Sequence, residues 1–184
     1  MIPNRESIPE FLNEQSLTGY GAEIGVYQGE FSIYFLQSWY GQKLYLIDSW
    51  RQFSNTRDIS NPDRNGQLCN LAQTFLTIYP FCNKTCLIRE LSVAAVILFP
   101  DNFFDFVYID AGHDYKSVTD DLTIWTPKVK TNGYVFGHDY LDLSYEQTNL
   151  ADFEVKRAVD DFVKLHDYKL QIINDPFPTF YFRK

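Results

Sequence analysis

Apolar runs of strand length alternate along the chain with stretches that repeat at helical spacing. That alternation predicts an α/β fold on a mainly parallel sheet. Tyr20 to Val26 reads as a first strand, Lys43 to Ile47 as a second, Thr85 to Arg89 as a third, Phe104 to Ile109 as a fourth and Tyr134 to Phe136 as a fifth. Two more strand-like runs, Lys169 to Ile173 and Thr179 to Arg183, flank the turn-forming Asn174-Asp175-Pro176. Ser7-Ile8-Pro9-Glu10 has the form of a capping box with an early proline, opening a short helix that stops before Gly19. Further helices are predicted over Phe31 to Trp39, from Asn61-Pro62 with an apolar face of Leu68, Leu71, Ala72 and Phe75, and after Ser92 as a cap.

A second capping box, Ser117 to Asp120, precedes Val118, Leu122, Trp125 and Val129 at helical spacing, and Gly133 ends that region. Asp120-Asp121 reads as a charge pair at the helix N-terminus. Asp152 to His166 is a last helix with Val155, Val159 and Phe162 on its apolar face. The polar stretch Arg51 to Gly66, with Arg57, Asp58 and Arg64, interrupts the rhythm as an insertion and a candidate lid. No repeat or linker divides the chain, so residues 1–184 read as one domain, with 1–18 as an N-terminal helical segment.

Composition narrows the function. The chain has 184 residues with 16 Lys and Arg against 24 Asp and Glu, a formal charge of −8. Such an excess repels phosphate backbones and anionic lipid, so no nucleic-acid or membrane partner is expected. The longest apolar run, Val93 to Phe99, is far short of a bilayer span. The N-terminal residues lack the apolar stretch of a secretory signal, and Cys69, Cys82 and Cys86 make an odd count. Reduced thiols acting as small buried hydrophobes, in a cytoplasmic protein, are the expectation.

Gly21 to Gly29 lies where the first strand turns toward its helix. Glycine at Gly25 and Gly29 lets a ligand approach the backbone, and the following helix offers free N–H groups. The G-x-G-x-x-G of dinucleotide sites is absent, which disfavours a nicotinamide-dependent oxidoreductase. Instead Glu23 precedes Gly25 by two positions. A carboxylate there repels a pyrophosphate and attracts an ammonium or sulfonium group. Asp48 ends the second strand 23 positions beyond Gly25, placed to accept from both hydroxyls of a ribose. The pair points to a nucleoside ligand whose other end is cationic; the plainer alternative is a tight turn with a solvated charge and a capping Asp. Tyr27, Trp50 and Tyr115 are candidate stacking groups, though aromatics this frequent usually form core or rim.

Glu-Ile-Gly-Val-Tyr-Gln-Gly (23–29), Tyr-Leu-Ile-Asp-Ser-Trp (45–50), Asp-Phe-Val-Tyr-Ile-Asp-Ala-Gly-His-Asp-Tyr (105–115) and Gly-Tyr-Val-Phe-Gly-His-Asp-Tyr (133–140) together resemble the class I S-adenosylmethionine-dependent methyltransferases. The nearest likeness is to the sugar and macrolide O-methyltransferases that act on small molecules. The resemblance implies a Rossmann-like, seven-stranded sheet whose last strand runs antiparallel between the fifth and sixth, with helices on both faces. It implies S-adenosylmethionine at Glu23, Gly25, Tyr27, Gly29, Asp48, Ser49, Ser92 and Asp110. Ser49 replaces the proline often found after that aspartate. It also implies that a lid comes from an N-terminal extension or a second subunit, hence a homodimer.

Asp110, His113, His138 and Asp139 follow the fourth and fifth strands and form the candidate catalytic set. Two mechanisms fit methyl transfer to a hydroxyl of a small-molecule acceptor. In one, Asp110, Asp139 and His138 bind Mg²⁺ or another divalent cation that chelates a diol- or catechol-like acceptor. In the other, His113 or His138 is a general base without metal. A binding module or partner subunit that has lost catalysis is the alternative outside enzymes.

Overall fold

Every apolar run read as a strand pairs into one sheet in the computed structural model, which describes residues 2–54 and 56–184. The strands are β1 (Tyr20–Ile24), β2 (Lys43–Asp48), β3 (Thr85–Arg89), β4 (Phe104–Ile109), β5 (Val129–Gly137), β6 (Asp142–Leu143), β7 (Phe153–Glu154), β8 (Gln171–Ile173) and β9 (Thr179–Arg183). Seven of them form the main sheet in the order β3-β2-β1-β4-β5-β9-β8, while β6 and β7 make a separate ribbon. The first five are parallel, and β9 runs antiparallel to both its neighbours. This is the Rossmann-like order expected from the sequence.

Helices α1 (Ile8–Glu14), α2 (Ser32–Ser38), α3 (Arg64–Ile78), α4 (Ser92–Ala95), α5 (Tyr115–Trp125), α6 (Tyr145–Thr148) and α7 (Val155–His166) complete the chain. Two apolar cores result, one on each face of the sheet. Ile8, Leu12, Phe35 and Leu36 pack over Phe106 and Tyr108 on one side. Val118, Leu122, Trp125 and Val159 pack over Val107 and Ile109 on the other. Because both faces are covered, all six residues of β4 are buried, and five of the six are apolar; the sixth, Asp105, pairs with Lys130.

Several boundaries differ from the sequence reading, each for a local reason. β1 stops at Ile24 because Gly25 turns to φ +87°. The second capping box does not form: Asp114 caps α5 by accepting from the Ser117 amide, so Asp121 lies well inside the helix and is buried. Gly133 does not end a helix. Pro127 closes the turn after α5, and Gly133 sits within β5 where the register with β4 shifts between Phe104 and Phe106. Ser7 starts α1 without capping it, and the Asn4 side chain accepts from Ser7 instead. Ser92 is the first residue of α4 rather than its cap.

The α3 face is only in part the one expected: Leu71 packs against the core, but Leu68, Ala72 and Phe75 do not. Gln67, Asn70, Thr74 and Ile78 face inward, whereas Leu68 and Phe75 are 42% and 54% exposed. Polar residues face inward because the helix braces a loop as well as the core: Thr74 Oγ1 donates to the Tyr27 carbonyl and Thr77 Oγ1 to that of Gln28. The cysteines also depart from expectation; Cys69 and Cys82 are exposed and Cys86 is half-buried, all as free thiols.

Gly25 fixes how closely β1 and β4 meet. A Cβ there would lie 1.8 Å from the Asp110 carbonyl oxygen, at a φ that L-residues rarely adopt. Gly25→Ala is therefore expected to cost at least about 2 kcal/mol, read as a drop of several degrees in thermal midpoint; an unchanged midpoint would mean the strand ends are not so constrained.

Candidate active site

The turn after β1 is held by side chains from three other elements. The two oxygens of Asp48, at the end of β2, accept from three backbone amides: Oδ2 from Val26 and Tyr27, each at 2.9 Å, and Oδ1 from Trp50 at 2.8 Å. The Tyr27 carbonyl accepts from Trp50 Nε1 at 2.8 Å and from Thr74 Oγ1 at 2.9 Å. Tyr27 and Trp50 both sit at positive φ, a conformation these bonds stabilise against its steric cost. Asp48 thus anchors the loop and still presents itself to the cleft.

That cleft, of about 720 Å³, opens over the C-terminal ends of β1, β2 and β4. Its volume lies in the range of small-molecule sites. Gly25, Tyr27, Asp48, Ser49, Ser92 and Asp110 line it, and so does His113. Of the expected cofactor residues, Glu23 and Gly29 lie outside the lining. Glu23 is buried behind it, accepting from Ser32 Oγ at 2.6 Å. Burial pushes its carboxyl up to about 8, with the Ser32 hydroxyl opposing and Asp110 and Asp48 adding to the rise.

The candidate catalytic residues do converge, around His113. Its Nδ1 lies 2.9 Å from Asp58 Oδ2, and its Nε2 lies 3.1 Å from Asp139 Oδ2 and 3.9 Å from Asp110 Oδ1. Nε2 is buried and has no hydrogen bond of acceptable angle. Burial alone would depress the imidazole, but the carboxylates of Asp110, Asp139 and Asp58 more than reverse it, and its pKa is raised well above the ordinary value. For Asp139 burial pulls upward, and His113 and His138 outweigh it, so its carboxyl is held below the usual range. Asp110, His113 and Asp139 each offer a ligand atom within 4.8 Å of the others.

His138 takes a different part from the one expected. Its Nε2 lies 2.7 Å from Arg5 Nη1 and its Nδ1 2.9 Å from Asp139 Oδ1. A guanidinium only donates, so Nε2 accepts and the ring's proton sits on Nδ1, facing the carboxylate. Neither nitrogen then has a lone pair for a metal, and His113 replaces His138 in the candidate ligand set. His138 and Asp139 also lie outside the cleft lining.

Arg5 and Asp58 were missed by sequence reasoning. Arg5 precedes α1 in a segment with no motif, and it reaches the site by donating its amide to Asp175 and laying its guanidinium over Phe31. Asp58 belongs to the polar insertion, of which Asn55 lies outside the described residues. Its repeated charges gave a signal, but not a target. Arg57, one residue earlier, pairs with Glu146 and Asp152, tying the insertion to the segment around α6.

A family model described as a methyltransferase domain matches residues 22–140. No curated protein matches the chain. Among solved structures, a Staphylococcus aureus protein described as a caffeoyl-CoA O-methyltransferase is 16% identical with a TM-score of 0.68, over 98% of this chain and 82% of that one. One from Nostoc punctiforme, described as an O-methyltransferase, is 13% identical with a TM-score of 0.67, over 98% and 55%. A Clostridium thermocellum protein described as an rRNA methylase is 13% identical with a TM-score of 0.67, over 100% and 97%. At these identities the likeness to the solved structures is one of fold.

The state of Glu23 has a measurable consequence. Its folded value of about 8 lies above the ordinary 4.5. The stability it contributes is complete below the unfolded value and is lost as pH rises through the folded one. The wild-type thermal midpoint is expected to fall more steeply between about pH 5 and 9 than that of Glu23→Gln; parallel curves would show that Glu23 is already ionised.

Proposed function

Because the chain belongs to the methyltransferase-domain family and is a class I S-adenosylmethionine-dependent methyltransferase, we propose that it methylates a hydroxyl oxygen of a small molecule in the cleft beneath its polar insertion. The observation that carries this reading is the meeting of two halves in one place. The Gly25 turn and Asp48 line the same cleft as Asp110 and His113. The first half suits a nucleoside with a cationic sulfur, the second an acceptor that must lose a proton.

In the transfer, a carbon–oxygen bond forms as the carbon–sulfur bond breaks, the sulfonium becomes a neutral thioether, and the hydroxyl proton must leave. Without a bound cation, Asp110 in the cleft wall would take it. Holding donor and acceptor in line supplies much of the acceleration. The insertion serves as the lid: Asp58 meets His113, and the Ile59 amide donates to the Leu150 carbonyl at 3.0 Å.

The orphaned Nε2 of His113 beside two carboxylates fits a divalent cation, which Asp110, Asp139 and His113 would hold. Asp58 on Nδ1 orients the ring for that role, as outer-shell carboxylates do for metal-bound histidines. A bound cation would supply Lewis acidity that lowers the acceptor's pKa. The mixed nitrogen and oxygen set suits a borderline ion as well as Mg²⁺. Some fold neighbours are described as rRNA methylases. The charge of −8 and the acidic cleft favour a small acceptor here over a polyanion.

Transfer of a labelled methyl group to a panel of catechols, sugars and polyols is the direct test. Asp110→Asn and Asp139→Asn should each lower turnover by about a hundredfold or more, and excess chelator should abolish it. Full turnover in chelator would eliminate the metal, and cofactor binding without turnover of any acceptor would favour the inert module. Asp48→Ala should weaken affinity for S-adenosylmethionine by about tenfold; unchanged affinity would mean that the nucleoside lies elsewhere.

A further inference from the structure

The sheet ends on one side in an unguarded strand. β3 is the outermost strand there, and among the described residues nothing pairs with its outer edge. The Leu44 amide donates to the Lys84 carbonyl at 2.9 Å and the Glu90 amide to the Asp48 carbonyl at 3.0 Å. Main-chain groups alternate in direction along a strand, so residues 84, 86, 88 and 90 bond to β2, while Thr85, Leu87 and Arg89 turn theirs outward. The register with β2 carries no bulge, and the strand has no proline and no charge before Arg89 at its end. Native edges are normally blunted by such devices or by shortness. At the opposite edge β8 is only three residues long, with the bend at Asp175-Pro176 close behind it.

Exposed apolar side chains flank this edge. In α3, Asn70 and Thr77 bond to Gln28, on the flank toward β1. Leu68, Phe75 and Tyr79 recur at helical spacing on the other flank, toward the open edge, and all three are exposed. On the sheet's other face α4 and the turn after it (Val96–Leu98) leave Ile97 and Leu98 exposed. We propose that two copies of this chain join along β3, antiparallel about Leu87. That register sets Leu87 opposite Leu87 and Thr85 opposite Arg89, the residues whose amides and carbonyls point outward, so each pair exchanges both of its main-chain bonds. Just beyond the strand it places Lys84 opposite the other copy's Glu90, and by symmetry this meeting of opposite charges occurs twice. The two-fold axis stands perpendicular to the joined sheet, so α3 meets α3 on one face and α4 meets α4 on the other. A short strand alone falls below the about 800 Å² that each partner of a standard interface buries; the flanking side chains add apolar area to it. Glu90 lines the cleft, so the second copy braces one of its walls.

Sedimentation velocity of the 184-residue chain is the first test, with a dimer expected. Phe75→Lys and Ile97→Asp, both at exposed positions, should each raise the dimer dissociation constant at least about tenfold while circular dichroism stays unchanged. The register is read by a cross-link. Cys86 and the other copy's Ile88 form a non-hydrogen-bonded pair, with Cα atoms about 4.5 Å apart, within disulfide reach. In a Cys69→Ser, Cys82→Ser background, Ile88→Cys oxidised by diamide should give a covalent dimer linked through Cys86 and the introduced thiol, mapped by mass spectrometry. A wild type that stays monomeric up to its highest soluble concentration overturns the proposal. A dimer that both surface substitutions leave intact overturns it too, and so does a folded, dimeric Ile88→Cys chain that yields no such link.

Discussion

Negative charge crowded into a partly dry space is the constraint around which the site is organised. Glu23, Asp48, Asp58, Asp110 and Asp139 all gather near the ends of the central strands. Each copes differently. Glu23 is held toward its neutral form by burial. Asp48 spends its oxygens on backbone amides. Asp58 and Asp139 lean on the His113 imidazole, and Arg5 stands behind His138. Desolvated like charges are tolerated only when such counterweights exist. The arrangement leaves a cleft whose field favours cations, consistent with a sulfonium ligand and with a metal ion.

The sheet order makes the crowding unavoidable. Parallel β1, β2 and β4 are direct neighbours, so the residues that follow them leave the same edge of the sheet. Gly25 permits the β1 and β4 ends to approach until backbone meets backbone. Without that approach, the turn that carries Tyr27 and the loop that carries Asp110 would not share one cavity. The antiparallel β9 beside β5 closes the other side, where His138 and Asp139 emerge.

Much of this is written in the order of residues, because strands inside a covered sheet leave mostly apolar runs of strand length. Phe104–Ile109, Thr85–Arg89 and Thr179–Arg183 were readable to the residue. Gly25, Asp48, Asp110 and His113 were readable because each follows a strand end, where topology alone brings residues together. What escaped depends on side chains meeting across long separations. Arg5 reaches His138 and Asp58 reaches His113 from segments without periodic patterning. α3 misled in part for the opposite reason: Leu68 and Phe75 suggested a core face that only Leu71 supplies, whereas the polar face is needed to bond the carbonyls of Tyr27 and Gln28. Asp121 reads with Asp120 as a charge pair at the helix N-terminus, but Asp114, three residues before Ser117, is the cap, and Asp121 is buried inside α5.

Arg5 meets the candidate site even though it stands outside the sheet. Arg5 touches the His138 ring by its side chain and the turn at Asp175 by its amide, so one residue joins the strand end after β5 to the β8–β9 turn. Removing that side chain would leave most of the apolar interior untouched while freeing the ring to rotate and exchange tautomers. A change confined to Arg5 would therefore alter the setting of the His138 ring more than the packing of the sheet.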